Sequence, residues 1–166
     1  QVDDKNGSKG VMSVVEAPGG GIFLQVAGTL GKGPAAKDGW MYIFNNFRPD
    51  WGLVDLGNSV GVRFRARAAN GAGIAVKMEG SFGGTWVTGE SAFFKDVAVG
   101  PDWKVYEVRW TELAQPAGVC PGKLCINRFT ADQMMVFGFQ FKDRNRPIEF
   151  QLDDVGLIYE GSAGKP

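Results

Sequence analysis

Residues 135–141, MVFGFQF, put Met135, Phe137, Phe139 and Phe141 on one side of an extended chain and Val136, Gly138 and Gln140 on the other. Successive side chains of a strand point to opposite faces, so this period of two specifies a strand with a buried aromatic row. The polar run at 143–147, DRNRP, reads as a turn. In the strand expected after it, at 149–158, Phe150, Leu152, Asp154 and Gly156 alternate with Gln151, Asp153, Val155 and Leu157. The two strands are expected to pair as the closing hairpin of a β-sandwich. Asp153-Asp154 is odd inside a strand: aspartate is a poor strand former, and a buried carboxylate needs a cation, an arginine or backbone N–H groups.

The same alternation recurs along the chain. At 59–69, Val60, Val62, Phe64, Ala66 and Ala68 face one way and Arg63, Arg65 and Arg67 the other. Asn70-Gly71, a favoured pair for a tight hairpin turn, leads into 73–80, with Ile74, Val76 and Met78 inward and Lys77 and Glu79 outward. Residues 40–47 show Trp40, Tyr42 and Phe44 on one face and Met41, Ile43 and Asn45 on the other. Both faces are apolar, as in an inner strand or one carrying a binding row of rings. Further strands are expected at 11–16, 22–30, 93–99 and 103–110, where Tyr106, Val108 and Trp110 oppose Val105, Glu107 and Arg109. Residues 81–91 read as a glycine- and aromatic-bearing loop, and 111–131 as a long excursion. About nine or ten short strands, 25 glycines and essentially no helix imply an all-β sandwich or jelly roll.

One domain, 1–166, accounts for the whole chain, since no repeat, linker or charge block divides it. Lys+Arg and Asp+Glu number 18 each, so no excess charge points to nucleic acid or to an acidic membrane, and no apolar run is long enough to span a bilayer. The chain opens on Gln1 without a signal peptide and reads as a piece of a longer protein. Histidine is absent, which excludes Ser-His-Asp and Cys-His catalysis, HExxH zinc chemistry and any His-ligated metal within the chain. Carboxylate chemistry and oxygen-ligated calcium survive that test. Glycosidic cleavage needs two acids facing one cleft; Glu79 and Glu107 are conceivable, but nothing singles them out. Cys120 and Cys125 flank a Pro-Gly turn and are expected to form a local disulfide, which implies an oxidising, secreted or periplasmic setting.

Taken together, LQVAGTL, DGWMYIFNNF, VDLGNSVGVRFRARAANG, DWKVYEVRWTEL, FGFQFK and FQLDDVGLI resemble the galactose-binding-like β-sandwiches of the complex I intermediate-associated protein family and related bacterial carbohydrate-binding modules. The matching positions are Asp55 to Asn58, Gly61 to Ala66, Trp103 to Trp110 and Leu152 to Val155. The resemblance implies a jelly-roll fold and a structural calcium held by Asp153, backbone carbonyls and Asp3 or Asp4. It departs from the family at the start, where the usual acidic opening strand is replaced by the polar QVDDKNGSKG.

Sugars stack their C–H faces on exposed rings, flanked by planar hydrogen-bonding groups. Trp40, Tyr42, Trp51 and Trp86 are the expected stacking rings, with Arg63, Arg65 and Gln140 as hydrogen-bonders. Arg63, Arg65, Arg67, Lys77, Glu79, Glu107, Arg109, Gln140 and Lys142 are read as paving one outward sheet face, either as a glycan surface or as solvated cross-strand pairs. The expected function is non-catalytic binding of a polysaccharide or oligosaccharide by a secreted, monomeric module of a polysaccharide-acting protein. The alternative is a protein-interaction or assembly domain of the complex I intermediate-associated type, using an apolar patch or the 111–131 excursion.

Overall fold

The computed structural model describes residues 1, 3–17, 20–31, 41–82, 85–88, 91–116, 129–143 and 147–161. Ten strands run in chain order: β1 (Lys9–Glu16), β2 (Ile22–Thr29), β3 (Met41–Asn46), β4 (Ser59–Ala68), β5 (Ala72–Phe82), β6 (Thr85–Val87), β7 (Phe93–Val99), β8 (Lys104–Arg109), β9 (Met134–Phe141) and β10 (Ile148–Tyr159). They form two antiparallel sheets of a jelly-roll sandwich. The first has the order β1-β2-β10-β4-β8; in the second, β3-β9-β5 is extended on the far side of β5 by both β6 and β7.

The alternation seen in the sequence fills the space between the sheets. Phe64, Ala66 and Ala68 of β4 and Phe150 of β10 meet Ile74, Val76 and Met78 of β5 and Phe137, Phe139 and Phe141 of β9 in one apolar core. Phe139 packs edge-on against Phe64 at 4.9 Å, and Phe141 against Phe150 at 5.2 Å. Trp110 is buried with its indole N–H donating to Ser59 Oγ at 3.2 Å.

Two expected hairpins are instead crossings between sheets. β9 is flanked by β3 and β5 and β10 by β2 and β4, so these consecutive strands lie in different sheets. Beyond the end of β9, Asp143 accepts the Gly73 N–H at 2.6 Å. The Asn70-Gly71 turn likewise leads from β4 in the first sheet to β5 in the second; Gly71, at φ 69°, donates to the Ala68 carbonyl at 2.8 Å. Both strands around each turn bury large residues on one side, and folding that side inward as a sandwich covers them where a flat hairpin leaves them bare.

Met135 also departs from expectation. A register shift at Glu79/Gly80 inserts an extra residue in β9, so Met134 enters the main core and Met135 joins Tyr42 and Val136 in a second apolar cluster. The acidic pair has a similar cause. Asp154 sits at φ 49° on a bulge between Asp153 and Gly156, and beyond it the parity reverses: Val155 is exposed while Leu157 packs on the core. The loop expected at 81–91 contains β6.

Candidate functional site

The outward face of the second sheet sets aromatic rings among polar side chains. Its cross-strand rows are set by register: Tyr42–Gln140–Ala75–Asp96, then Phe44–Gly138–Lys77–Phe94, then Asn46–Val136–Glu79. Ala75 and Gly138 keep the middle low. The Tyr42 ring leans over Gly138, where an added Cβ would lie 2.6 Å from Tyr42 Cε2 and 2.1 Å from the Ile43 carbonyl oxygen. Tyr42 stacks on Phe44 at 5.3 Å and 24°, and Phe44 meets Trp51 at 6.1 Å. Three rings thus run in a row from the sheet into the loop after β3.

Trp51 is 52% exposed at φ 59°, a left-handed conformation that costs a bulky residue energy. The loop enforces it. Arg48 grips Asp50 with two hydrogen bonds, Nε to Oδ1 at 2.9 Å and an Nη to Oδ2 at 2.8 Å, while Asp50 Oδ1 also accepts the Gly52 N–H at 3.0 Å. The Arg48 bond and then the Gly52 N–H hold the Asp50 carboxyl down to about 2, so the brace stays ionised at ordinary pH. Trp86, 55% exposed on β6, lies opposite Ser81, while its neighbour Val87 enters the core. The alternation puts the Trp86 ring on the outward side, across β5 from Tyr42 and Phe44.

Polar groups sit among these rings. Lys77 is nearly buried, its Nζ 2.6 Å from Glu79 Oε1, 4.5 Å from the Tyr42 ring centre and 5.6 Å from that of Phe94. Burial, and then the charge of Glu79, push the Tyr42 hydroxyl far above its ordinary pKa, so it stays a neutral donor. Tyr42 Oη and Asn46 Oδ1 are both buried, and neither has a hydrogen-bond partner among the described residues. Buried polar atoms are nearly always paired, so two orphans on one face are exceptional.

The expected site residues divide between the two faces. Tyr42, Trp51, Trp86 and Gln140 belong to the second sheet's outer face, while Trp40, Cys120 and Cys125 lie outside the described residues. Arg63 and Arg65 project from β4 on the opposite side of the molecule. There Arg65 and Arg67 lie over the Trp103 ring at 4.8 and 5.3 Å, and Arg67 Nε donates to Gln151 at 2.6 Å. The single paved face is therefore two: Arg63, Arg65, Arg67, Glu107 and Arg109 on the first sheet, and Lys77, Glu79, Gln140 and Lys142 on the second. Glu79 and Glu107 fall on different sheets and form no acid pair. Phe44, Asn46 and the Lys77–Glu79 pair complete the face; the alternation at 40–47 already aligned Phe44 with Tyr42, but no local pattern marked Asn46.

Asp153 does not fit calcium. Its Oδ1 accepts the Asp154 N–H at 2.9 Å and its Oδ2 faces Arg65 at 3.7 Å. Asp3 instead caps the turn at Asp4–Asn6 and takes the Asn6 side-chain amide at 2.6 Å. Calcium needs six to eight oxygens, and no group of three or more metal-ligating side chains exists among the described residues.

No protein-family model matches the chain, and no curated protein matches it in sequence. Solved structures do resemble it. A family 11 carbohydrate-binding module of a cellulosomal cellulase of Clostridium thermocellum matches with a TM-score of 0.67 at 19% identity, over 92% of this chain and 83% of that one. A family 11 module of the same organism, in complex with a β-1,3-1,4-mixed-linked tetrasaccharide, matches with a TM-score of 0.67 at 18% identity, over 92% and 84%. A family 30 module of another cellulosomal cellulase of that organism matches with a TM-score of 0.61 at 15% identity, over 91% and 83%. The chain has the β-sandwich fold of carbohydrate-binding modules. These structures bear on that half of the resemblance and lend nothing to its complex I half.

Proposed function

We propose that this chain is a non-catalytic carbohydrate-binding module that takes a polysaccharide chain across the outer face of its second sheet. Trp51, Phe44 and Tyr42 form the stacking row, with Trp86 on the far side; Gln140, Asn46, Lys77 and Glu79 supply hydrogen bonds to sugar hydroxyls. The observation that carries this reading is the pair of buried atoms without a partner among the described residues, Tyr42 Oη and Asn46 Oδ1, beside a braced and exposed tryptophan. A neutral glycan suits the face, because the nearly buried cation Lys77 is already paired with Glu79. The sandwich shared with modules of cellulosomal cellulases supports a role outside the cell, as part of a polysaccharide-acting protein.

The test is titration calorimetry with soluble β-1,3-1,4-linked glucan and a panel of other neutral and acidic polysaccharides. Binding to a neutral glucan is expected, and Trp51→Ala is expected to weaken it by about 1–3 kcal/mol, the scale of one stacked ring. Undiminished affinity in both Trp51→Ala and Trp86→Ala would remove the site. A folded protein that binds no glycan in the panel would favour the protein-interaction alternative.

A further inference from the structure

The outer face of the first sheet carries a polar cluster of its own, apart from the aromatic face of the second. Register sets Gln25, Gln151 and Arg67 side by side on β2, β10 and β4, with Ala27 and Glu149 paired in the next row. Arg67 Nε donates to Gln151 Oε1 at 2.6 Å, and Gln151 Nε2 donates to Gln25 Oε1 at 3.5 Å. Each glutamine oxygen is thus turned toward its neighbour, and Gln25 keeps its amide N–H groups to offer outward. The Ala68 N–H donates to the Gly100 carbonyl at 2.8 Å, which brings Pro101 to the rim beside Ala69. Gln25, Arg67, Ala69, Pro101, Glu149 and Gln151 line a cavity of about 150 Å³. That is below the roughly 300–1,000 Å³ of drug-sized pockets, so the space suits one sugar ring rather than a length of chain.

Arg67 decides what this cavity takes. Its guanidinium lies over the Trp103 ring at 5.3 Å, and Phe23 packs edge-on against the same ring at 5.8 Å. With one face stacked and its Nε held by Gln151, the half-buried guanidinium is fixed in place. Among the described residues Arg65 pairs with Asp153 and Arg109 with Glu107, but Arg67 has no ion-pair partner. A fixed guanidinium with an uncompensated charge and its terminal N–H groups unspent is a preformed carboxylate fork. Glu149, exposed on the neighbouring strand, only accepts hydrogen bonds, so it takes hydroxyl protons and repels a second negative charge.

The geometry points to a second binding site, for a single uronic-acid residue of an acidic polysaccharide. Its carboxylate sits on Arg67, its hydroxyls on Gln25 and Glu149, and its ring C–H groups against Ala69 and Pro101. The two faces then differ in kind, since the cation of the aromatic face, Lys77, is already paired with Glu79. The consequence, which rests on the proposed glucan face, is that one module holds a neutral chain on one sheet and an acidic chain on the other.

Heteronuclear NMR titration of the whole chain tests this with methyl β-glucuronide, with methyl β-glucoside as its neutral match and acetate as the carboxylate alone. The glucuronide is expected to bind with a Kd of about 1 mM and the other two at least about tenfold more weakly. The largest shifts are expected at the Trp103 indole N–H and the side-chain amides of Gln25 and Gln151. Arg67→Gln is expected to abolish the preference for the glucuronide. Arg67→Lys, which keeps the charge without the fork, is expected to weaken its binding about tenfold. Circular dichroism checks the fold of both variants, and the wild-type comparison of the three ligands stands without them. Titration of Arg67→Gln with β-1,3-1,4-linked glucan and of Trp51→Ala with the glucuronide reads the two faces separately, so failure of one site leaves the result for the other standing. Equal binding of glucuronide and glucoside, acetate binding as tightly as the glucuronide, shifts confined to the surroundings of Tyr42 and Gln140, or a folded Arg67→Gln variant that keeps the preference would each overturn the proposal.

Discussion

Tyr42 combines a well-packed ring with an unmet hydroxyl. Its ring is packed by Phe44 and by the ammonium of Lys77, yet its hydroxyl is buried without a partner among the described residues. An unmet buried hydroxyl costs about 1–3 kcal/mol. Tyr42→Phe is therefore expected to raise thermal stability slightly in the free protein, by about 1 kcal/mol, and to lower glycan affinity at the same time. Thermal melts and titrations on the same preparations read both effects. A variant that loses stability and keeps its affinity would mean that the hydroxyl faces no sugar. Trp51 shows the complementary arrangement, an exposed ring in a left-handed conformation beside the Arg48–Asp50 brace. Fixing a large ring beforehand removes ordering cost from the binding step.

At the scale of elements, the outer face depends on how closely β3 and β9 approach. Gly138 lies under Tyr42 and against the Ile43 carbonyl, and an added methyl has no room there. Gly138→Ala is expected to destabilise the fold by about 1–3 kcal/mol and to displace the Tyr42 ring, so affinity falls even at temperatures where the variant is folded. Denaturant unfolding together with titration of the folded variant tests this; an Ala variant with full affinity would show that the ring's position is not what binds. The bulge in β10 is another element-level feature. It accounts for Asp153-Asp154 by putting Asp154 in a left-handed turn and Asp153 beside Arg65, where the family resemblance implied calcium.

For the whole molecule, the decisive fact is that the sandwich has two outer faces. The arginines of β4 belong to the one without the aromatic row, where Arg65 and Arg67 stack on Trp103 and are tied to Asp153 and Gln151. Arg63→Ala and Arg65→Ala are accordingly expected to leave glycan affinity within about twofold of wild type, a difference below about 0.5 kcal/mol. A large loss in either variant, measured by titration, would move the binding face to the first sheet.

The local pattern alone determined a good deal. Alternation of period two located nearly every strand and separated the core side from the outward side for β4, β5, β8 and most of β9, because the pleat imposes that period wherever a strand forms. The row of Tyr42 and Phe44 was legible for the same reason. What the pattern leaves undetermined is which sheet a strand enters. Asn70-Gly71 and residues 143–147 are good turns whether the chain doubles back within a sheet or crosses to the other, and the choice rests on burying Phe64, Phe139, Phe141 and Phe150 against one another from distant parts of the chain. That packing placed Arg65 and Tyr42 on opposite sides of the molecule. It also reversed the parity at Met135 and Asp154, where one extra residue per strand turns every later side chain over. Side-chain direction along a strand is a local property of the backbone; the meeting of two faces is a property of the core, and only the tertiary structure decides it.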